Sequence, residues 1–272
     1  MLTERTFDTG EVAINYVESS DTGPLLIMLH GMTATWQVFE TTIPFLAVRW
    51  RVVAADLRGH GRSGRVAGRY ALTDYARDID ALHRHLSDEP AVVVGSSLGA
   101  MVAIGLAAED PDAVRAVVLE DPPLGFASGA PGAMQPAHSG MVETRDLVAA
   151  GHSAPELVRM LTPQMLGQDG VAIRRRAANL SNLDPDVLTT YVEDRCYTGF
   201  DLGERLRRVT CPTLLLQGNP ALGGALSDSE ARWAISLMAD CVHVSLPEAG
   251  HGIRGALPDR YRSLVTGFLA TV

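Results

Sequence analysis

A serine flanked by glycines, Gly95-Ser96-Ser97-Leu98-Gly99, stands between the apolar run 91–94 and the small-residue stretch 98–108. The run is short and valine-rich, as a buried strand is, and the stretch after it reads as a helix. A serine on so tight a strand-to-helix turn sits in strained backbone with its hydroxyl thrust outward. Glycines are needed where strand and helix crowd the turn. Ser97 is therefore the candidate nucleophile, and Ser96 reads as a filler where the helix begins. A serine hydroxyl needs a base, and the base needs an orienting acid. His251, in Gly250-His251-Gly252, is the candidate base. A histidine between glycines is poorly explained as core packing. It falls just past the strand expected at 242–246, where a loop would reach the carboxyl edge of a sheet.

The acid has three candidates. Asp121 directly follows the strand expected at 115–120 and gives the chain order serine, acid, histidine. Glu120 precedes it. Asp228 falls in the first turn of a helix, where the helix dipole alone accounts for a carboxylate. The loop after the strand at 213–217 offers Asn219 and no nearer carboxylate. A strand-ending aspartate before Pro122-Pro123 can also serve only to bond backbone N–H groups. An acyl-transfer site further needs donors for an oxyanion. The N–H of Leu98, next to the nucleophile, and that of Met32, on the His30-Gly31-Met32 turn, are expected to supply them. Gly31 and Trp36 would lie at the substrate, Trp36 as either pocket wall or core.

No metal site is expected. His83 and His85 are two apart on a helix and face different ways, and no H-E-x-x-H pattern occurs. His138, His152 and His243 read as surface or packing residues. The stretch Asp56-Leu57-Arg58-Gly59-His60-Gly61-Arg62-Ser63 lacks the spacing of a phosphate loop and reads as a structural turn. Asp56 and Arg58 are expected to be tied into the backbone of neighbouring loops.

Alternating elements must position these residues. Strands are expected at 11–18, 25–29, 51–55, 91–94, 115–120, 213–217 and 242–246. Helices are expected at 73–86 (opened by Thr73), 98–108, from Ser227 with Glu230 at capping-box spacing, and at 259–270. The alternation implies an α/β fold with a mostly parallel sheet covered on both faces. Residues 124–209 carry no convincing strand, only helical stretches after a Gly/Ala/Pro/Ser-rich segment, and read as a cap over the carboxyl edge. That divides the chain into a core of 1–123 and 210–272 and a cap of 124–209. The cap's Leu124, Phe126, Met134, Met160, Leu161 and Met165 would line an apolar pocket.

With 272 residues and 46% hydrophobic content the chain can bury a large core. A net charge of −9 argues against nucleic acid as a partner. Three widely spaced cysteines are neither a disulfide framework nor a zinc pattern. The first residues have no apolar signal core and no stretch is long enough to span a bilayer, so a cytoplasmic setting without membrane contact is expected.

Together, His30-Gly31, the 56–63 stretch, the GSSLG turn, the mid-chain helices, Cys211–Gly218 and Gly250-His251-Gly252 resemble the α/β-hydrolase family over nearly the whole chain. The resemblance implies an eight-stranded sheet and a Ser/acid/His triad in a cofactor-free hydrolytic site under a helical cap. Most of that family carries the acid after the strand corresponding to 213–217. Branches such as the haloalkane dehalogenases and zearalenone-type lactone hydrolases carry it after the preceding strand, which corresponds to Asp121. Ser97 excludes the dehalogenation of that branch, which uses an aspartate nucleophile. The expected activity is hydrolysis of a small apolar carboxylic ester or lactone. A hydrolase-like receptor with slow turnover, an acyltransferase and a cofactor-free perhydrolase are the alternatives.

Overall fold

The apolar runs become the middle of one eight-stranded sheet. The computed structural model describes residues 2–20, 22–127, 135–165, 167 and 169–272. Its strands are β1 (Thr3–Asp8), β2 (Ala13–Glu18), β3 (Leu25–Leu29), β4 (Arg51–Ala55), β5 (Ala91–Ser96), β6 (Val114–Glu120), β7 (Thr213–Gly218) and β8 (Cys241–Leu246). They lie in the order β1-β2-β4-β3-β5-β6-β7-β8. β2 runs antiparallel to β1 and β4, and all other pairs are parallel.

β3, β5 and β7 are buried at every residue, as interior parallel strands are. Their side chains still alternate. Leu25, Ile27 and Leu29 join the core on one face, and Leu26 and Met28 the core on the other. β1 is the strand that local pattern does not announce. It is an edge strand, mostly exposed, with one large apolar residue, Phe7, stacked on His85 at 4.3 Å. Its pairing is backbone, in register from Thr3 opposite Glu18 to Asp8 opposite Ala13.

Helices α1 (Ile43–Leu46) and α12 (Pro258–Leu269) cover one face of the sheet. The other is covered by α2 (Leu72–Leu86), α3 (Leu98–Glu109), α9 (Leu202–Arg208) and α10 (Asp228–Leu237). α3 is buried from Leu98 to Ala108, so it has no polar face to show in its sequence. α2 starts one residue before Thr73. Ala71 precedes it, and the Asp74 carboxylate accepts the Ala71 N–H at 3.1 Å. α10 begins as its sequence predicts: Ser227 Oγ accepts from Glu230 N and Glu230 accepts from Ser227 N. Short α11 (Ile253–Ala256) precedes α12.

Between β6 and α9 lie α4 (Leu124–Ala127), α5 (Gln135–Ala149), α6 (Ala154–Leu161), α7 (Gly170–Ser181) and α8 (Pro185–Val192), with no strand among the described residues. α5 packs on α8 and α6 on α7, whereas α9 packs on α3 and α10 of the core. The 56–63 stretch is a seat for α8. Asp184 N donates to Gly59 O at 2.8 Å, and Tyr70 Oη donates to Asp184 Oδ2 at 2.6 Å. A Cβ on Gly59 would stand 2.5 Å from Val187, so only glycine admits the helix. Asp56 is held as expected, accepting from Trp36 N and Arg62 N. Arg58 differs. Fully buried, it is bound mainly by carboxylates, both oxygens of Asp78 at 2.6 Å and Glu11 at 2.7 Å, besides the Arg69 carbonyl.

Candidate active site

Strands β3, β5 and β6 end at one edge, where the strand order reverses direction about β3 and opens a crevice. Ser97 sits there between β5 and α3 with φ +54°, in the region non-glycine residues avoid. The two glycines of its turn have different neighbours. A Cβ on Gly95 would meet Gly99 O at 2.3 Å, and one on Gly99 would meet Leu29 O at 2.1 Å. Strand, helix and β3 thus close on the serine without room for side chains. Its backbone N–H is held by Glu120 O at 2.9 Å.

Asp121 follows β6 directly and is completely buried, also at positive φ, +46°. Its Oδ2 lies 2.7 Å from His251 Nδ1. The same oxygen accepts Ala225 N at 2.7 Å, and Oδ1 accepts Gly218 N at 2.9 Å. The loop after β7 therefore supplies no acid. The last residue of β7, Gly218, and Ala225 in that loop instead supply backbone donors that hold Asp121. Asn219 is spent inside that loop, accepting from Ala221 N and donating to Pro247 O. Thr33, at φ +64°, is the third of four non-glycine residues with positive φ among those described. Ser97, Asp121 and Thr33 gather backbone strand-end strain in one place, as sites of chemistry tend to.

The other candidate acids are occupied elsewhere. Asp228 accepts from Gln217 Nε2 at 2.8 Å, and Gln217 Oε1 in turn meets His243 Nε2 at 2.8 Å. Glu120, 1% exposed, accepts from Arg254 N at 2.8 Å and forms a second, very close contact with the Arg254 guanidinium. Arg254 Nε also donates to Val38 O at 3.1 Å, and the group lies over the Phe39 ring. Sequence reading does not find Arg254, because a pair spanning 134 residues leaves no local pattern. Its one signal is a cation three residues after His251.

Gly31 lies against Ser97: a Cβ there would stand 3.1 Å from Ser97 Cβ. The Gly31 carbonyl accepts from Ala34 N at 3.1 Å and lies 2.8 Å from His30 Nδ1. Leu57 N donates to His30 Nε2 at 3.0 Å, which leaves Nδ1 to carry the ring proton. Complete burial pushes the His30 pKa down to about 4, so this neutral tautomer is the one that persists. In a trans peptide the N–H opposes the carbonyl, so fixing Gly31 O also fixes the direction of the Met32 N–H. Leu98 is buried and its N–H is among the unpaired donors of the first turn of α3.

The pocket residues divide. Trp36 packs against the core on the far face of the sheet, alongside Phe39. Leu124 is 1% exposed and Leu161 3%, both within the core. Met160 is 39% exposed on α6, whose inward side is taken by Leu157 and Leu161. Met165 instead lines a cavity of about 440 Å³ with Thr33, Asp169, Val171, Ala172, Arg175, Arg176 and Asn179. Met134 and the Phe126 side chain lie outside the described residues. Among the described residues no cluster of three or more His, Cys, Asp or Glu could hold a metal, and no helix is long and apolar enough to cross a membrane.

A mostly parallel sheet with Ser97 on the turn after β5 and, directly after the neighbouring β6, a buried Asp121 bonded to His251 defines a fold class, and the comparisons agree with that fold. The profile of the alpha/beta hydrolase fold matches residues 24–157. The pimeloyl-(acyl-carrier protein) methyl ester esterase of Neisseria meningitidis is 32% identical over 231 residues, 75% of this chain and 88% of that protein. The chain belongs to the α/β-hydrolase family. The 2-(acetamidomethylene)succinate hydrolase of Mesorhizobium japonicum is 41% identical over 117 residues, 43% of this chain and 42% of that one. The match spans about half the length of the first such relatives, 42% and 50%. The crystal structure of an E-2-(acetamidomethylene)succinate hydrolase superposes with a TM-score of 0.79 at 27% identity, covering 99% of this chain and 100% of that one.

Proposed function

We propose that the protein is a serine hydrolase that cleaves a small carboxylic ester or lactone through an acyl-enzyme. The observation that carries this reading is the His251–Asp121 bond of 2.7 Å at the edge where Ser97 is held in strained backbone. His251 takes the Ser97 proton as the hydroxyl attacks the substrate carbonyl. Asp121 keeps the Nδ1–H tautomer and stabilises the imidazolium. The N–H groups of Met32 and Leu98 meet the oxyanion. The imidazolium then protonates the leaving alcohol, a water deprotonated by His251 attacks the acyl-enzyme, and Ser97 is restored. The helices α4 to α8, between β6 and the core-packed α9, act as the cap that selects the substrate. Relatives named as a methyl ester esterase and as a 2-(acetamidomethylene)succinate hydrolase support acyl hydrolysis; relatives named as dehalogenases match as well, and it is Ser97, where dehalogenation uses an aspartate nucleophile, that speaks against that reaction.

Ser97→Ala should abolish turnover of a p-nitrophenyl ester panel and labelling by a fluorophosphonate, with circular dichroism unchanged. Labelling that survives in Ser97→Ala, or is lost only in Ser96→Ala, overturns the assignment of the nucleophile.

A further inference from the structure

The cavity beside Thr33 has a wall that the triad does not use. Ala172, Arg175, Arg176 and Asn179 recur at three- and four-residue spacing, so they form one stripe along α7. That stripe faces the oxyanion segment. Thr35 Oγ1 donates to Asn179 Oδ1 at 3.2 Å, and Arg175 pairs with Glu40 at 3.0 Å. Thr33, on the same cavity, is the residue after the Met32 donor.

The charges on the wall are unequal. Arg175 is neutralised by Glu40, and the Asp169 carboxylate caps α7 by accepting Ala172 N at 2.8 Å. Arg176 is exposed on the cavity wall and, unlike Arg175, has no ion-pair partner among the described residues. The guanidinium thus stands on the wall of a cavity whose other side includes Thr33, next in sequence to Met32. Asn179 adds an amide nitrogen, because its oxygen is taken by Thr35. A planar guanidinium with a neighbouring amide donor matches a carboxylate, which accepts two parallel N–H bonds. At about 440 Å³ the space is that of a small-molecule site.

We infer that the substrate is a short ester or lactone bearing a free carboxylate on its acyl part, and that Arg176, with Asn179, binds that carboxylate. This rests on the serine-hydrolase reading of the same site. It also departs from the wholly apolar pocket that the sequence suggests: the cap's apolar residues are mostly consumed by its own core, and the cavity wall is charged.

The test uses two probes that differ by one terminal carboxylate, the p-nitrophenyl monoester of glutaric acid and p-nitrophenyl butyrate. The wild type should prefer the monoester in kcat/KM. Arg176→Ala should raise KM for the monoester by about 10- to 100-fold, the loss expected of one charge-assisted contact, and leave butyrate within about twofold. Arg176→Lys should restore part of the loss, since it returns the charge without the fork. Unchanged butyrate turnover shows that the variant is folded. Equal kcat/KM for both esters in the wild type, or an equal fall for both in Arg176→Ala, overturns the inference and leaves the hydrolase reading standing. If neither ester is turned over, the hydrolase reading fails. Calorimetry with glutarate then decides the subsite alone: binding lost in Arg176→Ala supports it, and binding absent in the wild type or unchanged in the variant overturns it.

Discussion

Replacing Asp121 by asparagine tests the acid, and the structure says how the new side chain will turn. The carboxylate faces three N–H donors, Gly218 N at Oδ1 and both Ala225 N and His251 Nδ1 at Oδ2. An amide has one accepting oxygen and one donating nitrogen. With its oxygen at the Oδ2 position it keeps two of the three bonds and sets its NH₂ against Gly218 N–H. Turned over, it opposes Ala225 N–H and drives His251 to the other tautomer. The first orientation is therefore favoured. It leaves the Gly218 N–H and the new NH₂ facing each other without an acceptor, a loss of at least about 1–3 kcal/mol in folding stability. It also preserves the tautomer while removing the charge that stabilises the imidazolium. In the protease template the equivalent change costs about 10⁴ in turnover because the tautomer is wrong. Asp121→Asn should thus lose on the order of 10²–10⁴ in kcat, toward the lower end. Steady-state kinetics with p-nitrophenyl esters and urea unfolding read the two effects separately. Asp228→Asn should change little, because an asparagine oxygen still accepts from Gln217. Turnover within a few-fold of wild type in Asp121→Asn, alongside an inactive Ser97→Ala, would refute the assignment.

Met32→Ala should keep turnover within about tenfold, since the donor is its backbone N–H; a loss of several orders of magnitude in a folded variant contradicts this. Glu120→Ala should destabilise the fold by about 3 kcal/mol in urea titration, because the largely buried Arg254 loses its partner, and Glu120→Gln by less. His30 and His60 are both buried, which pushes their pKa values down to about 4 and about 3 from 6.5. Below pH 6.5 the unfolded chain gains protons on them that the folded chain refuses. Stability should therefore fall with pH by up to about 1.4 kcal/mol per unit for each histidine, as far as the folded pKa. A flat unfolding free energy between pH 6.5 and 5 would exclude this.

The legible parts were those where geometry forces residue type. Gly95 and Gly99 are glycine because backbone lies within 2.5 Å of where a Cβ would be, so the strand-to-helix turn at Ser97 is written in the letters. β3 and β5 are apolar throughout because both of their faces are covered. β1 was illegible for the opposite reason: an edge held by backbone pairing needs no apolar pattern. Asp121 could be reached only by elimination, because what marks it is the backbone of Gly218 and Ala225, which any sequence possesses. Met160 misled because an amphipathic cap helix has two sides. Nothing local shows that Leu157 and Leu161 hold the inner one.

The bonds from Gly218 and Ala225 to Asp121 have a consequence for how this chain can vary. Neither bond depends on the donor's side chain, because Asp121 is gripped by backbone amides. The number of residues between them is not free. The tight backbone approaches of Gly218 to Gly250 and of Gly250 to Leu222 fix the loop against the histidine turn. Inserting or deleting one residue there would move both amides at once and leave the imidazole attached to a carboxylate that has lost its own support. For this loop, length is the inherited quantity, and spelling matters only where the turn itself is held, at Asn219, Gly223 and Gly224.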